Sequence, residues 1–148
     1  QLLRLDPNSA LVAQTFVERK KYNSILENVS ELFEKFATTR GLAKMTARIV
    51  LGRDAAGELC IAHYLPPLVE AHTGRILLLD GTHRSFLVKS IGTTVEAIMI
   101  RGVTAPFPCV PQEWSAVRKV DQKPPKEDRF VGLKPDYFRD VKYIGIDG

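Results

Sequence analysis

Long apolar runs are absent from this sequence of 148 residues. No run reaches the roughly 18 apolar residues that a membrane-spanning helix requires, and the first residues lack the charged-then-apolar order of a signal peptide. These absences exclude a membrane span and a leader from our expectations, and we predict a soluble, cytoplasmic protein. The length and the 45% hydrophobic content favour one compact core rather than two.

Cysteine and histidine are scarce and are not arranged as metal ligands. Cys60 and Cys109 lack a Cys-x-x-Cys spacing, so we expect reduced thiols, with Cys109 the better candidate for exposure and redox chemistry. The three histidines show no short paired spacing. His72 and His83 flank a predicted strand over residues 75–79, which separates them by about 16 Å. We therefore predict no metal-binding residues.

No segment has a strong excess of one charge, although the formal net charge is +4. Lys and Arg together number 6 against 5 for Asp and Glu in residues 1–40, 6 against 5 in 41–100 and 9 against 7 in 101–148. There is no basic arm. The charge pattern along the chain therefore gives no support for nucleic-acid binding.

Hydrophobic periodicity predicts two helices in the first 41 residues. In residues 8–21 the apolar side chains Leu11, Val12, Phe16 and Val17 fall on one helical stripe. Residues 24–41 combine a capping-box spacing, a helical apolar period and a terminal glycine. We assign residues 1–23 to an N-terminal helical extension and begin the main domain at residue 24.

The pattern changes to strands after residue 44. Residues 44–65 contain two β-leaning runs around a turn, which predicts a hairpin, and residues 66–74 ("PPLVEAHTG") read as a break in regular structure. The apolar run "RILLL" over 75–79 predicts a buried strand. A helix ending at Gly92 and a strand over 93–100 follow, which completes a βαβ-type unit.

Proline divides the chain beyond residue 103 into short pieces, in which only "QEWSAVRKV" has a helical pattern. Its aromatic residues are too numerous for a free linker. We expect residues 104–148 to form an extension that packs on the domain, which spans 24–103, or on a protein partner.

The turn "DGTHRS", residues 80–85, joins the predicted strand to the predicted helix. The start of a helix presents unpaired N–H groups and the positive end of its dipole, which together favour anions. Gly81 allows a ligand to come close to the backbone, and we expect a positive φ there. The Thr82 and Ser85 hydroxyls can donate hydrogen bonds, and the Arg84 guanidinium is suited to phosphate oxygens.

Two further side chains of this turn carry the chemistry of a possible reaction. Asp80 can cap the turn, accept from a hydroxyl or hold a metal ion that bridges phosphates. His83 can donate a hydrogen bond or move a proton. A purely structural Asp-Gly turn remains the alternative.

The order of elements and this turn resemble the ParB and sulfiredoxin superfamily over residues 24–103. The resemblance implies an α+β fold with a small mixed sheet and flanking helices. It also implies that Gly81, Thr82, His83, Arg84 and Ser85 contact the phosphates of a bound nucleotide. Thr82 stands where sulfiredoxins carry their catalytic cysteine, so we do not expect their reaction. The helix-turn-helix domain of ParB itself has no counterpart here.

The Asp-Gly-x-His-Arg form looks more like the free-serine kinases of that superfamily and like proteins associated with DNA modification. A kinase of this type needs a carboxylate base, and Glu70, Glu27, Glu31 and Glu34 are candidates. We expect ATP or another nucleoside triphosphate, with Mg²⁺ as a candidate ion, and phosphotransfer or hydrolysis with Asp80 and His83 as catalytic residues. Two alternatives are a DNA-associated module, nuclease-like or part of a modification system, and a non-catalytic interaction domain.

Overall fold

The computed structural model describes residues 1–23, 48–53, 57, 59–64, 66–72 and 74–137. Within these ranges strands and helices are mixed, and the predicted α+β class is confirmed. The strands are β1 (Leu2–Leu5), β2 (Leu11–Val12), β3 (Phe16–Glu18), β4 (Arg48–Arg53), β5 (Leu59–Tyr64), β6 (Leu68–His72), β7 (Arg75–Asp80), β8 (Val95–Ile100) and β9 (Arg118–Val120). The helical segments are α1 (19–23) and α2 (Thr82–Ser90), and short 3-10 turns cover Pro7–Ser9, Trp114–Ala116, Lys126–Asp128 and Pro135–Tyr137.

Five strands form one mixed sheet in the order β1-β8-β6-β7-β2. The central strand, β6, is antiparallel to β7 on one side and parallel to β8 on the other. Strand β1 pairs antiparallel with β8, and β2 pairs parallel with β7. Strands β3 and β9 form a separate parallel ribbon, and β4 and β5 form the hairpin that the sequence predicts.

One face of the main sheet packs against α2. Side chains of a strand alternate between the two faces, and in β8 this places Val95, Ala97 and Met99 in the core between partly exposed neighbours. Val88 brings α2 into the same cluster. Burial of each large aliphatic side chain contributes roughly 1.5–3 kcal/mol to folding, so this face fixes the position of α2 on the sheet.

The opposite face of the sheet meets part of the C-terminal segment. Leu77 points to this face, where it packs with the buried residues Ala13 and Cys109 and with the partly buried ring of Phe107. Further along, Trp114 joins the cluster on the α2 side of the sheet, and its Nε1 donates a hydrogen bond to the Pro7 carbonyl at 2.7 Å. Residues 107–114 therefore contact both faces of the sheet.

Three segments differ from their sequence-based predictions. Residues 8–21 do not form one helix, because the strands β2 and β3 lie within that range and only residues 19–21 of it are α-helical. The predicted break at 66–74 contains β6, the central strand. The "QEWSAVRKV" segment holds a single 3-10 turn followed by β9 instead of a helix. Within the predicted N-terminal helical extension, β1 and β2 are strands of the main sheet.

The strand, helix and strand predicted over residues 75–100 are confirmed. Their arrangement differs from a parallel βαβ unit, because β6 lies between β7 and β8, and β7 and β8 run in opposite directions. The helix predicted for residues 24–41 lies outside the described residues. Within the described ranges, no helix has the length and apolar character needed to cross a membrane.

Cys109 is not the exposed thiol that its proline-flanked position predicts. Its side chain is buried, and the Sγ atom lies 4.0 Å from the carbonyl oxygen of Ala13. Burial disfavours the charged thiolate and raises the pKa of Cys109 to about 11. The thiol therefore stays protonated near neutral pH, a state in which it is a poor nucleophile, and the predicted exposure of Cys109 is wrong.

Candidate functional site

The turn between β7 and α2 has the backbone geometry of an uncapped helix N-terminus. Gly81 is the N-cap residue and has a left-handed conformation with φ +85°, which confirms the predicted positive φ. The Ser85 N–H donates to the Gly81 carbonyl at 2.9 Å and makes the first helical bond. No described side chain caps this end of α2. The N–H groups of the first turn, which have no acceptor within the helix, are the donors available to an anion.

Gly81 is also the point where the turn meets the beginning of β6. A Cβ atom at this position would lie 2.9 Å from both Cα and Cβ of Pro67. Leu68, the first residue of β6, pairs with Asp80 across the sheet, which explains the close approach. Glycine is therefore required here for two separate reasons, its conformation and the lack of space for a side chain.

An ion pair joins the two charged side chains of the turn. The Nη2 atom of Arg84 lies 2.9 Å from Oδ2 of Asp80, one helical turn away along the chain. The two side chains are 18% and 28% exposed, so the pair sits at the surface of the turn and remains accessible. Asp80 thus holds the guanidinium of Arg84 beside the start of α2 instead of capping the helix.

His83 contacts the N-terminal part of the chain. Its Nε2 accepts a hydrogen bond from the Glu18 N–H at 2.8 Å, and its ring meets Phe16 edge to face with 6.5 Å between centroids. Burial lowers the pKa of His83 below 6.5, and the positive charge of Lys21 lowers it further. The imidazole is therefore neutral near pH 7, with its proton on Nδ1, because Nε2 serves as the acceptor.

The two hydroxyl groups predicted to donate to phosphate lie inside the protein. Thr82 is 3% exposed and Ser85 is fully buried. The Ser85 Oγ atom has no hydrogen-bond partner among the described residues. A buried hydroxyl without a partner lowers the free energy of unfolding by about 1–3 kcal/mol, so Ser85 destabilises the folded protein.

Glu70, one of the candidate bases, lies on the central strand and away from the turn. It is fully buried on β6, opposite Leu77, and its Oε1 atom lies 2.6 Å from Nε2 of His72. Leu77 precedes Asp80 by three residues, which is about 10 Å along a strand. The structure does not bring Glu70 to the turn. The other candidates, Glu27, Glu31 and Glu34, lie outside the described residues.

The two ends of β7 carry different groups. His72 pairs with Arg75 at the first residue of β7, whereas Asp80 and His83 lie at its other end.

In the described part of the chain, no group of three or more His, Cys, Asp or Glu side chains is placed to hold a metal ion.

Comparison with models of known protein families gives no match, and neither a curated protein nor a solved structure matches the chain.

Two contributors to this site have no local signal in the sequence. Pro67 forms the wall behind Gly81, and the Glu18 backbone holds His83 from 65 residues away. Pro67 reaches the turn through the pairing of β6 with β7, and Glu18 reaches it through the contacts of β3 with α2. The sequence pattern predicts neither β6 nor β3. Asp80, Gly81, His83 and Arg84 could be assigned to one turn because they are consecutive or nearly so.

The crowding at Gly81 can be separated from its unusual φ by comparison with Gly92. Both residues have positive φ, but a Cβ atom at Gly92 meets nothing within 4 Å. Alanine at either position pays about 1–2 kcal/mol for the left-handed conformation. Gly81→Ala should lose a further ~1–3 kcal/mol from the clash with Pro67. Urea unfolding followed by circular dichroism measures the two losses, and equal losses would show that Pro67 moves aside freely.

Neutral His83 should make stability depend on pH in a defined direction. Because the folded-state pKa lies below the ordinary 6.5, the unfolded chain binds the proton more readily than the folded protein. The stabilisation is therefore complete above pH 6.5 and is lost as the pH falls through the folded-state pKa. His83→Gln does not titrate and can still accept from Glu18, so its melting temperature should fall less than that of the wild type between pH 7.5 and 5. An equal fall in melting temperature for the wild type and His83→Gln would contradict a neutral His83 with a lowered pKa.

Proposed function

We propose that residues Asp80–Ser85 bind the phosphate groups of a nucleoside triphosphate, and that the domain uses the nucleotide for phosphotransfer or hydrolysis. The observation that carries the proposal is the N-terminus of α2, which no side chain of the described residues caps, which follows a left-handed glycine and which has a guanidinium fixed beside it. Backbone N–H groups, the helix dipole and Arg84 all favour negative charge at one place. The resemblance to the ParB and sulfiredoxin superfamily supports the same assignment.

The backbone of the turn supplies most of this anion site. Pro67 fills the space where a Gly81 side chain would lie, so the phosphate oxygens approach the first N–H groups of α2 rather than the Cα of Gly81. The buried Thr82 and Ser85 side chains cannot reach a ligand in solution without a local movement. In this proposal the N–H groups of the first turn are the donors, and the Ser85 hydroxyl gains a partner only if binding opens the turn.

Arg84 and Asp80 act together in the proposed site. The ion pair restricts the guanidinium to the mouth of the turn, so that less conformational entropy is lost when phosphate binds. Asp80 Oδ2 is engaged by Arg84, while Oδ1 has no hydrogen-bond partner among the described residues. This second oxygen is the group that would orient an acceptor hydroxyl, or hold Mg²⁺ bound with the nucleotide.

Only one of the two ring nitrogens of His83 is available for the catalytic role that the sequence predicts. Its Nε2 is occupied by the Glu18 N–H, so only Nδ1–H can donate to a ligand or intermediate. Phosphoryl transfer depends mainly on positioning and on stabilising charge. We therefore assign charge stabilisation to Arg84 and the start of α2, orientation to Asp80, and a single hydrogen bond to His83.

Isothermal titration of the full chain with ATP, CTP and GTP, each with and without Mg²⁺, tests the binding proposal. Saturable binding of at least one nucleotide is expected, with phosphate release or transfer measured separately by the production of nucleoside diphosphate. Absence of heat for all three nucleotides at millimolar concentration would refute it.

Arg84→Ala should weaken nucleotide binding by roughly 1.5–3 kcal/mol, the range for a charge-assisted hydrogen bond. Arg75→Ala is the matched control, because Arg75 is an exposed arginine at the other end of the same strand. The control should bind as the wild type does. Equal affinities for the wild type and Arg84→Ala would remove Arg84 from the site.

Asp80→Asn tests whether Asp80 orients an acceptor hydroxyl or Mg²⁺, or only pairs with Arg84. Asparagine can still accept from Arg84, so folding and nucleotide affinity without metal should change little, whereas turnover at saturating Mg²⁺ should fall by about a hundredfold or more. Unchanged turnover would restrict Asp80 to holding Arg84. The melting temperature, measured on the same preparation, shows whether the fold is intact.

A further inference from the structure

The fold gathers the net positive charge of the chain onto one surface. Residues 16–23 and residues 118–123 contain six Lys or Arg and two Asp or Glu. This leaves fifteen basic and fifteen acidic residues in the rest of the chain, out of totals of 21 and 17. The whole formal charge of +4 therefore belongs to these two short segments. They are about a hundred residues apart in sequence, which is why the charge pattern along the chain looks even.

Parallel pairing of β3 with β9 brings the two segments together. Phe16, Val17 and Glu18 pair with Arg118, Lys119 and Val120, and α1 follows directly from β3. Arg19 of α1 reaches across to Asp121 beyond β9, with 2.9 Å between Nε and Oδ1. We call this the β3–β9 basic surface, and its cations are Arg19, Lys20, Lys21, Arg118, Lys119 and Lys123, all of them exposed.

Most of these cations have no acidic partner within the described ranges. Arg19 pairs with Asp121, and Lys21 lies 3.6 Å from Glu18. Among the described residues, no salt bridge neutralises the four others, which are Lys20, Arg118, Lys119 and Lys123. Four like charges on one short ribbon and the helix that follows it repel one another and so favour a bound polyanion.

Half-buried aromatic rings adjoin the charges. The rings of Tyr22 and Phe86 meet edge to face at 5.8 Å between centroids, and Trp114 lies 6.2 Å beyond Phe86. The Lys119 ammonium sits over Tyr22 at 4.8 Å and over Phe86 at 5.4 Å, which holds this cation at the edge of the aromatic row. Cations beside aromatic rings are the combination that single-stranded nucleic acids bind, through backbone phosphates and base stacking.

The arrangement of the charges also favours a flexible strand over a rigid duplex. Successive side chains of β9 point to opposite faces of the ribbon, so Arg118 and Lys119 do not lie on one flat side. We propose that the β3–β9 basic surface binds single-stranded nucleic acid through its phosphate backbone, without sequence readout. This surface is separate from the nucleotide-binding turn, and the proposal does not depend on that function.

Fluorescence anisotropy of the full chain with a labelled 30-nucleotide single strand, at several salt concentrations, tests this proposal. With four phosphates neutralised at about 0.7 counterions each, the slope of log K against log salt should be about −3, so a fourfold rise in salt weakens binding roughly 60-fold. A Lys20→Gln, Arg118→Gln, Lys119→Gln, Lys123→Gln variant should lose this binding. No binding by the wild type at low salt would overturn the proposal.

The matched control removes four exposed cations elsewhere and is Arg75→Gln, Arg101→Gln, Lys126→Gln, Lys134→Gln. It has the same net charge as the surface variant and should retain the affinity and the slope. Equal losses in both variants would mean that binding follows net charge and not this surface. If loss of Lys119 unfolds the surface variant, Lys20→Gln with Lys123→Gln alone should reduce the slope by about half.

Two other probes decide the class of partner. A 30-base-pair duplex should bind more weakly than the single strand at equal salt. Poly-glutamate that binds as tightly as the oligonucleotide would instead assign the surface to acidic polypeptides and overturn the nucleic-acid proposal. Arg84→Ala should bind the oligonucleotide normally, and the Lys20→Gln, Lys123→Gln variant should bind free nucleotide normally, so that failure of one proposal is distinguishable from failure of the other.

Discussion

The close approach of Gly81 to Pro67 is the constraint on which the rest of the site depends. It fixes the distance between the start of the central strand and the end of the neighbouring strand, with no side chain between them. The helix that follows must then leave the sheet in one direction, with Thr82 and Ser85 turned into the protein. Asp80 and Arg84 are left at the surface and close enough to pair. The result is a helix end that no side chain in the described part of the chain caps, with an arginine beside it.

A second interaction ties this turn to the N-terminal part of the chain. His83 accepts from the backbone of Glu18, at the junction of β3 and α1, and the same junction begins the β3–β9 basic surface. The charge of Lys21 on that surface contributes to lowering the pKa of His83. The proposed nucleotide site and the proposed nucleic-acid surface therefore adjoin each other at Glu18 and Lys21.

Local patterns in the sequence predicted the elements whose signals are local. Each of these elements has its own hydrophobic period and turn residues; they are the hairpin of β4 and β5, the strand β7, the helix α2 and the strand β8. The positive φ of Gly81 also has a local signal, the Asp-Gly turn. The α+β class followed from these elements. Membership of the ParB and sulfiredoxin superfamily remains a proposal based on the order of elements and the turn.

The elements that sequence reasoning missed are specified by contacts with distant residues. Leu11, Val12, Phe16 and Val17 have a helical spacing, but pairing with β7 and β9 overrides that preference. Strand β6 follows two prolines and contains Glu70, which reads as a surface residue, yet its carboxylate is fully buried beside His72. The basic surface was hidden for the same reason, since β3 and β9 meet only in the folded chain.

The most direct measurement of the central claim is a titration of the ¹⁵N-labelled protein with ATP, followed by backbone amide chemical shifts. We expect the amide signals of the turn to move together and to saturate at one affinity, and inorganic tripolyphosphate to move the same signals, which are those of Gly81, Thr82, His83 and Arg84. Shifts confined to other parts of the chain, or no saturable shift at millimolar ATP, would contradict the assignment of this turn as a phosphate-binding site.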